Sequence, residues 1–330
     1  MVILVTLMTS EHEWKREIGR RLRLRDLEFV FAVAESGSMA KAAAELGVTQ
    51  SAVSQVIAGL EADLGVSLFD RSRRGVAPTI YGEALMRRGK VAFDEIRSCL
   101  QEIDFLKNKG TGTIRIGCPE TLAASVLPMA IVNFSKQWPD VALEVETFTG
   151  ADAATKLMDR SIDLVFARDG PALDALAKSD DFKITRLFED RLSVVAGASS
   201  RWANLPHIDL ADLVDAPWIV LPYGWGQDVI PNAFASRGLP PPHIALKTFS
   251  IHLRLHLLTT GRFVTALPES VIRLHGKLFD LTELRIDLPK SPYGVAIVTV
   301  KSRTLVRVVD YFISSTVEHF HRSIRDSCSD

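Results

Sequence analysis

The chain has 330 residues, of which 47% are apolar and 24% charged, and its formal net charge is −1. That length exceeds what one small core organises, and the composition is that of a folded protein of two or three domains, which excludes disorder and fibrous assembly. A balanced charge gives the whole chain no bias toward nucleic acid, so any basic surface has to be local.

The apolar opening "VILVTLM" is preceded by no basic residue and gives way to "TSEHEWKRE", so it lacks the charged segment and cleavage site of a signal peptide. No run of about 18 apolar residues offers a membrane span. Residues 1–22 read as an extension ahead of the first domain, of the kind an early start codon adds. Cys99, Cys118 and Cys328 are widely spaced and form no CxxC pair, which argues against a disulfide framework or a zinc site and points to the cytoplasm.

In "LRDLEFVFAVAESGS" the residues Leu24, Leu27, Val30, Phe31 and Ala34 fall at helical spacing, and Gly37 ends that helix. Ser38 can cap a second helix, "MAKAAAELG", which stops at Gly47. Thr49 follows as the N-cap of a third helix over 50–64, whose buried stripe is Val53, Val56, Ile57, Leu60 and Leu64. Two short helices joined by the tight "GVT" turn make a helix-turn-helix. The first outward positions of the third helix are Gln50, Ser51, Ser54 and Gln55, where a solvated face would carry Glu and Lys. Gln and Ser exchange hydrogen bonds with base edges when the N-terminal turns of such a helix enter the major groove, whereas carboxylates would be repelled by phosphate. After Gly65, "VSLFDRSRRGVAPT" sets Arg71, Arg73 and Arg74 beside Gly75 and Pro78, a turn-rich basic stretch suited to a β-wing along the DNA backbone.

Residues 24–85 resemble the DNA-binding domain of LysR-type transcriptional regulators. The likeness is carried by Ala42, Ala43, Leu46, Gln50, Ser51, Val53, Ser54, Ile57, Leu60, Glu61, Leu64, Gly65, Leu68, Phe69, Arg71, Thr79 and Gly82. Met39, Pro78 and Tyr81 depart from the Phe, Leu and Ala usual in that family. The resemblance implies a winged helix-turn-helix over 23–81 in which Ser38, Lys41, Thr49, Gln50, Ser51, Ser54, Gln55, Arg71, Arg73, Arg74 and Thr79 contact DNA.

From Ile80 to Lys109 the helical pattern is unbroken, with Leu85, Gly89, Ala92, Ile96, Cys99, Ile103 and Leu106 alternating spacings of four and three. Such a repeat marks helices packed along a seam, and the plainer alternative is a helix lying on its own domain. In the family this linker helix pairs two subunits, which implies a dimerisation helix at 82–110 and a homodimer or homotetramer. Cys99 reads as a small residue of the seam.

Beyond "NKGTG" the strands "TIRIGC", "VALEVETF" and "IDLVFAR" alternate with the helices "LAASVLPMAIVNFSKQW" and "ADAATKLMDR". The alternation continues through "RLSVVAG", "WIVLP", "ALKTF" and "FVTALP", and closes with "YGVAIVTV" and a final helix. This predicts a parallel α/β construction in two lobes over 111–330. It is similar to the effector-binding domain of the same family, built like periplasmic binding proteins. The implied lobes are 113–189 with 288–330 and 190–287, joined by strands crossing near 190–193 and 285–291.

Ligands of open α/β sheets bind beyond the C-terminal ends of the strands. Cys118, Glu120, Thr121, Thr149, Arg168, Tyr223 and Thr265 sit at those ends and are the candidate effector contacts, with Trp225 as a further apolar wall. The first helix of the lobe begins at Glu120 and Thr121, where free backbone N–H groups favour a polar or anionic head. The Arg168 guanidinium suits a carboxylate, sulfate or phosphate, and the competing reading pairs it with Asp169 or Glu120.

The chain contains no GxSxG, HExxH, GxxxxGK[ST] or GxGxxG, and its eight histidines do not cluster, His252 and His256 lacking a third ligand. The expectation is therefore a protein that is not an enzyme and uses no metal or cofactor. It is a cytoplasmic transcriptional regulator whose partners are double-stranded promoter DNA, a small effector such as a carboxylate or other anion, a second copy of itself and RNA polymerase, with no membrane. The alternative is a cytoplasmic solute-sensing protein without a promoter role.

Overall fold

The computed structural model describes residues 22–72, 75–107, 111–148, 150–224, 226–289, 292–301 and 303–327. The chain divides into two units, Met1–Arg97 and Ser98–Asp330.

In the first unit, α1 (Leu24–Ser36), α2 (Met39–Leu46) and α3 (Gln50–Leu64) precede the antiparallel hairpin of β1 (Phe69–Ser72) and β2 (Gly75–Pro78). Val30, Val33, Ala42, Val53, Ile57 and Leu68 form the centre of its core. The turn between α2 and α3 depends on Gly47, whose φ of 65° lies in the left-handed region that glycine adopts without a steric cost. Ser38 occupies the N-cap position of α2, but its side chain makes no capping hydrogen bond. Instead the Ser36 hydroxyl lies at the same turn, 2.7 Å from the Ala32 carbonyl. Leu64, expected in the buried stripe of α3, is exposed because it falls in the last turn, beyond the reach of α1 and α2.

The long helix α4 (Ile80–Lys107) begins against the wing. Gly82 is needed there, since a Cβ would stand 2.2 Å from the Leu68 carbonyl oxygen. The seam read from the sequence divides in two. Leu85 packs on the core of the first unit, and Gly89 lies against Phe31 and Leu27. Ile96, Cys99, Ile103 and Leu106 are exposed.

The second unit holds two five-stranded sheets. The first lobe is built from β3 (Gly112–Cys118), α5 (Glu120–Ala123), α6 (Val126–Ser135), β4 (Val141–Thr147), α7 (Ala153–Met158), β5 (Leu164–Arg168), α8 (Pro171–Ala177) and β6 (Phe182–Asp190). The second lobe follows with β7 (Leu192–Gly197), β8 (Trp218–Val220), α9 (Val229–Ser236), β9 (Ile244–Lys247), α10 (Ile251–Thr259), β10 (Val264–Pro268), α11 (Glu269–His275) and β11 (Leu281–Leu284). The chain then returns to the first lobe as β12 (Tyr293–Val300) and α12 (Arg307–Ser327). Strand orders are β4-β3-β5-β12-β6 and β11-β7-β10-β8-β9.

The sheets are mixed rather than purely parallel. β12 runs antiparallel to β5 and β6, and β7 antiparallel to β10 and β11, because the strands that carry the chain between lobes enter each sheet in the reverse sense. The helix expected over 122–138 breaks at Ser125, whose hydroxyl donates to the Thr121 carbonyl at 2.7 Å, leaving α5 as a single turn at the cleft. At the first crossing the Ser270 hydroxyl donates to the buried Asp190 carboxylate at 2.6 Å and lies 3.1 Å from Ser125 Oγ, joining the two lobes.

Under the first lobe, the buried Asp163 accepts from Arg115 Nη2 at 2.7 Å and pairs with Arg303 at 2.8 Å. Removing this carboxylate leaves two guanidinium groups without their shared counter-charge. Asp163→Ala is therefore expected to lose about 3–5 kcal/mol of stability, measured as a lower urea midpoint. A midpoint equal to the parent's would show that the cluster contributes nothing.

Candidate functional site

On the first unit, Thr49 caps α3 by accepting the Ala52 N–H at 3.2 Å, and its hydroxyl lies 2.9 Å from that of Ser51. The cap fixes where α3 starts, so Gln50, Ser51 and Gln55 emerge exposed from its first turns, with Ser54 half-buried beside them. Lys41 is exposed on α2, and Arg71 on β1. Arg73 and Arg74 lie outside the described residues. Thr79 is committed locally, since its hydroxyl donates to Ser67 O at 2.7 Å and accepts from Gly82 N at 3.2 Å. The residue that sequence reasoning left without a role is Glu61. Its carboxylate accepts the Leu68 and Phe69 N–H groups at 2.7 and 3.2 Å and so fixes the wing to α3.

On the second unit, the strand ends of both lobes meet around a cavity of about 620 Å³, a size typical of small-molecule sites. Glu120, Thr121, Arg168 and Tyr223 all line it. Arg168, at the end of β5, donates to the Thr121 hydroxyl. The two carboxylates considered as its counter-charge are engaged elsewhere: Asp169 pairs with Arg186, and Glu120 Oε1 accepts the Ile251 N–H at 2.9 Å across the cleft. Burial pulls the Arg168 pKa down, opposed by Tyr293, Asp190 and Cys118.

Thr265 belongs to a second, smaller cavity of about 30 Å³ that shares Thr121 and Arg168 with the first. Its hydroxyl donates to Ile219 O at 2.7 Å and accepts from Arg254 at 3.0 Å, so it positions that arginine. Cys118 is fully buried in the core and lines neither cavity; burial pushes its thiol up to about 12. Thr149 and Trp225 lie outside the described residues. Tyr223 meets Phe249 edge to face at 4.7 Å and forms part of the wall.

A helix-turn-helix unit followed by a two-lobed α/β unit with an interlobe cavity defines a DNA-binding regulator with a ligand-binding domain. Two family profiles agree. That of the bacterial regulatory helix-turn-helix protein, lysR family, matches residues 24–83, and that of the LysR substrate binding domain matches residues 107–321. The chain belongs to the LysR family of transcriptional regulators.

It is similar to the HTH-type transcriptional regulator GbpR of Azospirillum brasilense, with 27% identity over 279 residues, covering 83% of this chain and 80% of that one. The transcriptional dual regulator GltC of Bacillus subtilis is 26% identical over 301 residues, covering 91% and 98%. Among solved structures, full-length CbnR complexed with its target DNA has 22% identity and a TM-score of 0.62, covering 92% of this chain and all of that one. A full-length OxyR variant from Pseudomonas aeruginosa has 21% identity and a TM-score of 0.61, covering 89% and 94%. These two likenesses establish the shared fold.

Thr265→Val keeps the side-chain shape but strips Arg254 of an acceptor and the Ile219 carbonyl of a donor. It is expected to cost about 1–3 kcal/mol in urea unfolding with an unchanged m-value. An unchanged midpoint would mean that Arg254 needs no such support.

Proposed function

We propose that the protein binds operator DNA through α3 and the wing and that a small anion in the interlobe cleft alters this binding. The observation that carries the DNA half is the exposed set of neutral hydrogen-bonding side chains, Gln50, Ser51 and Gln55, on capped first turns. In this reading Gln50 and Gln55 read base edges, Ser51, Ser54 and Thr49 supplement them, and Lys41, Arg71, Arg73 and Arg74 contact phosphates. Ser38, at the N-cap position of α2, joins Lys41 in this contact. Thr79 acts by fixing the start of α4 rather than by touching DNA, which its two local hydrogen bonds support.

The effector half rests on Arg168 and Thr121 meeting at one opening, where a guanidinium suits a carboxylate or other oxyanion. The exposed apolar side chains Ile96, Leu100, Ile103 and Leu106 on α4 support pairing with a second copy. We assign 1–22 to an extension, 23–81 to the DNA-binding domain, 82–110 to the dimerisation helix and 111–330 to the effector domain. The protein works in the cytoplasm by binding rather than catalysis and acts on RNA polymerase from the promoter.

Gln50→Ala or Gln55→Ala is expected to lose about 1–3 kcal/mol of discrimination between operator and random DNA in gel shifts, with non-specific affinity unchanged. Both variants keeping the parent's preference would remove these residues as readers. Failure of the parent itself to select its own upstream DNA would favour the solute-sensing alternative. Arg71→Ala is expected to weaken binding to all DNA alike and to lower the slope of log K against log salt by about 1, and an unchanged slope would place Arg71 away from phosphate.

A further inference from the structure

The cleft contains a second guanidinium that neither sequence motif nor strand end announced. Arg254 projects from α10 of the second lobe and its side chain is buried, 3% exposed. Its Nη2 donates to Thr265 Oγ1 at 3.0 Å and to the Ala266 carbonyl. Its Nε is buried with no hydrogen-bond partner among the described residues. Burial, and after it the charge of Arg168, hold Arg254 down to about 10, with Glu120 opposing the shift. Two like charges from opposite lobes thus face one cavity of about 30 Å³ together with Thr121. Holding like charges this close, with Arg254 buried and Arg168 half-buried, costs free energy, and an anion placed between them offsets that cost. The space takes one small group, of the size of a carboxylate or a water.

That hole, which the two arginines share with apolar side chains such as Ile219, Ile230 and Pro268, opens on the cavity of about 620 Å³ through the shared Thr121, Arg168 and Leu221. The larger cavity has room for an apolar body. Its walls include Phe148, Val165, Leu173 and Leu176 of the first lobe and Tyr223 and Phe249 of the second. Glu120 and Arg168 are the charged residues among its described lining. A small inorganic oxyanion would satisfy the arginines but leave this apolar volume to water, whereas a neutral apolar ligand would bring the Arg254 Nε no acceptor and no negative charge.

We infer that the ligand is an amphipathic organic acid, its carboxylate held between Arg168 and Arg254 and its alkyl or aryl body filling the apolar cavity. This rests on the reading of the cleft as the effector site and adds the second arginine and the ligand class. Because Arg168 stands on β5 and Arg254 on α10, the carboxylate joins the two lobes, and its binding favours the arrangement in which they are close.

The test is calorimetry on the full chain with acetate, butanoate, hexanoate and octanoate, with octanamide and sulfate as controls. The dissociation constant is expected to fall at least tenfold from butanoate to octanoate, with octanamide at least tenfold weaker than octanoate. Arg168→Gln and Arg254→Gln should each weaken octanoate at least tenfold. Arg254→Lys, which keeps the charge and loses the planar fork, should fall between parent and Gln, and it serves if the Gln variant does not fold. Octanoate binding lost in Arg168→Gln but unchanged in both Arg254 variants would remove the second arginine and leave the anion site standing. Sulfate or acetate binding as tightly as octanoate would overturn the amphipathic class alone. Octanamide equal to octanoate, or no heat with any anion, would overturn the anion site itself.

Discussion

Two guanidinium groups on opposite sides of one cleft, Arg254 buried and Arg168 half-buried, are the constraint around which the second unit is arranged. Burying a charge is unfavourable, and the fold positions Arg168 and Arg254 through neutral hydroxyl oxygens. Thr121 accepts from the first and Thr265 from the second, and both threonines are themselves buried. Glu120, the acid that lines the opening, is occupied in binding the Ile251 N–H of the facing lobe. Elsewhere the same unit sets two guanidinium groups around one buried carboxylate, as at Asp163 with Arg115 and Arg303. In the cleft Arg168 and Arg254, from opposite lobes, line one small cavity, and this convergence marks the cleft as a place for a ligand.

The first unit follows another logic. Its function requires the first turns of α3 to begin at one fixed position, and that position is set by Gly47, Thr49 and the packing of Val53 and Ile57. Glu61 then carries the register into the wing by binding two consecutive N–H groups at the start of β1. Polar side chains on the outer face are thereby positioned by the core without taking part in it. The same helix α4 that seals this core at Gly82 and Gly89 presents apolar side chains to solvent from Ile96 onward.

Local features were legible in the sequence where one residue type suffices to set them. The glycines at 37, 47 and 65 end helices, Thr49 caps the next, and the helical spacing of Val53 and Ile57 faces the core. Ser38 was legible as the N-cap position but not as a hydrogen bond, since its hydroxyl accepts no α2 N–H. The mixed sense of the sheets was hidden because the reversed strands, β7 "LSVVAG" and β12 "YGVAIVTV", are apolar runs like their neighbours, and an apolar run does not show which way a strand is crossed into its sheet. In the cleft, Arg168 and Thr121 were visible because each lies at the end of a strand. Arg254 was not, since it shares the apolar stripe of α10 with Ile251, Leu255 and Leu258, and nothing in "IHLRLHLLT" says that this stripe borders the cleft. Arg73, Arg74, Thr149 and Trp225 were singled out from the sequence and lie outside the described residues.

Anomalous diffraction from crystals grown with 6-bromohexanoate shows whether the cleft holds an anionic head and an apolar body in one orientation. A bromine peak is expected in the apolar cavity among Phe148, Leu173 and Leu176, with the carboxylate between Arg168 and Arg254. Bromine beside the two arginines, or an empty cleft with the ligand bound elsewhere, would contradict it.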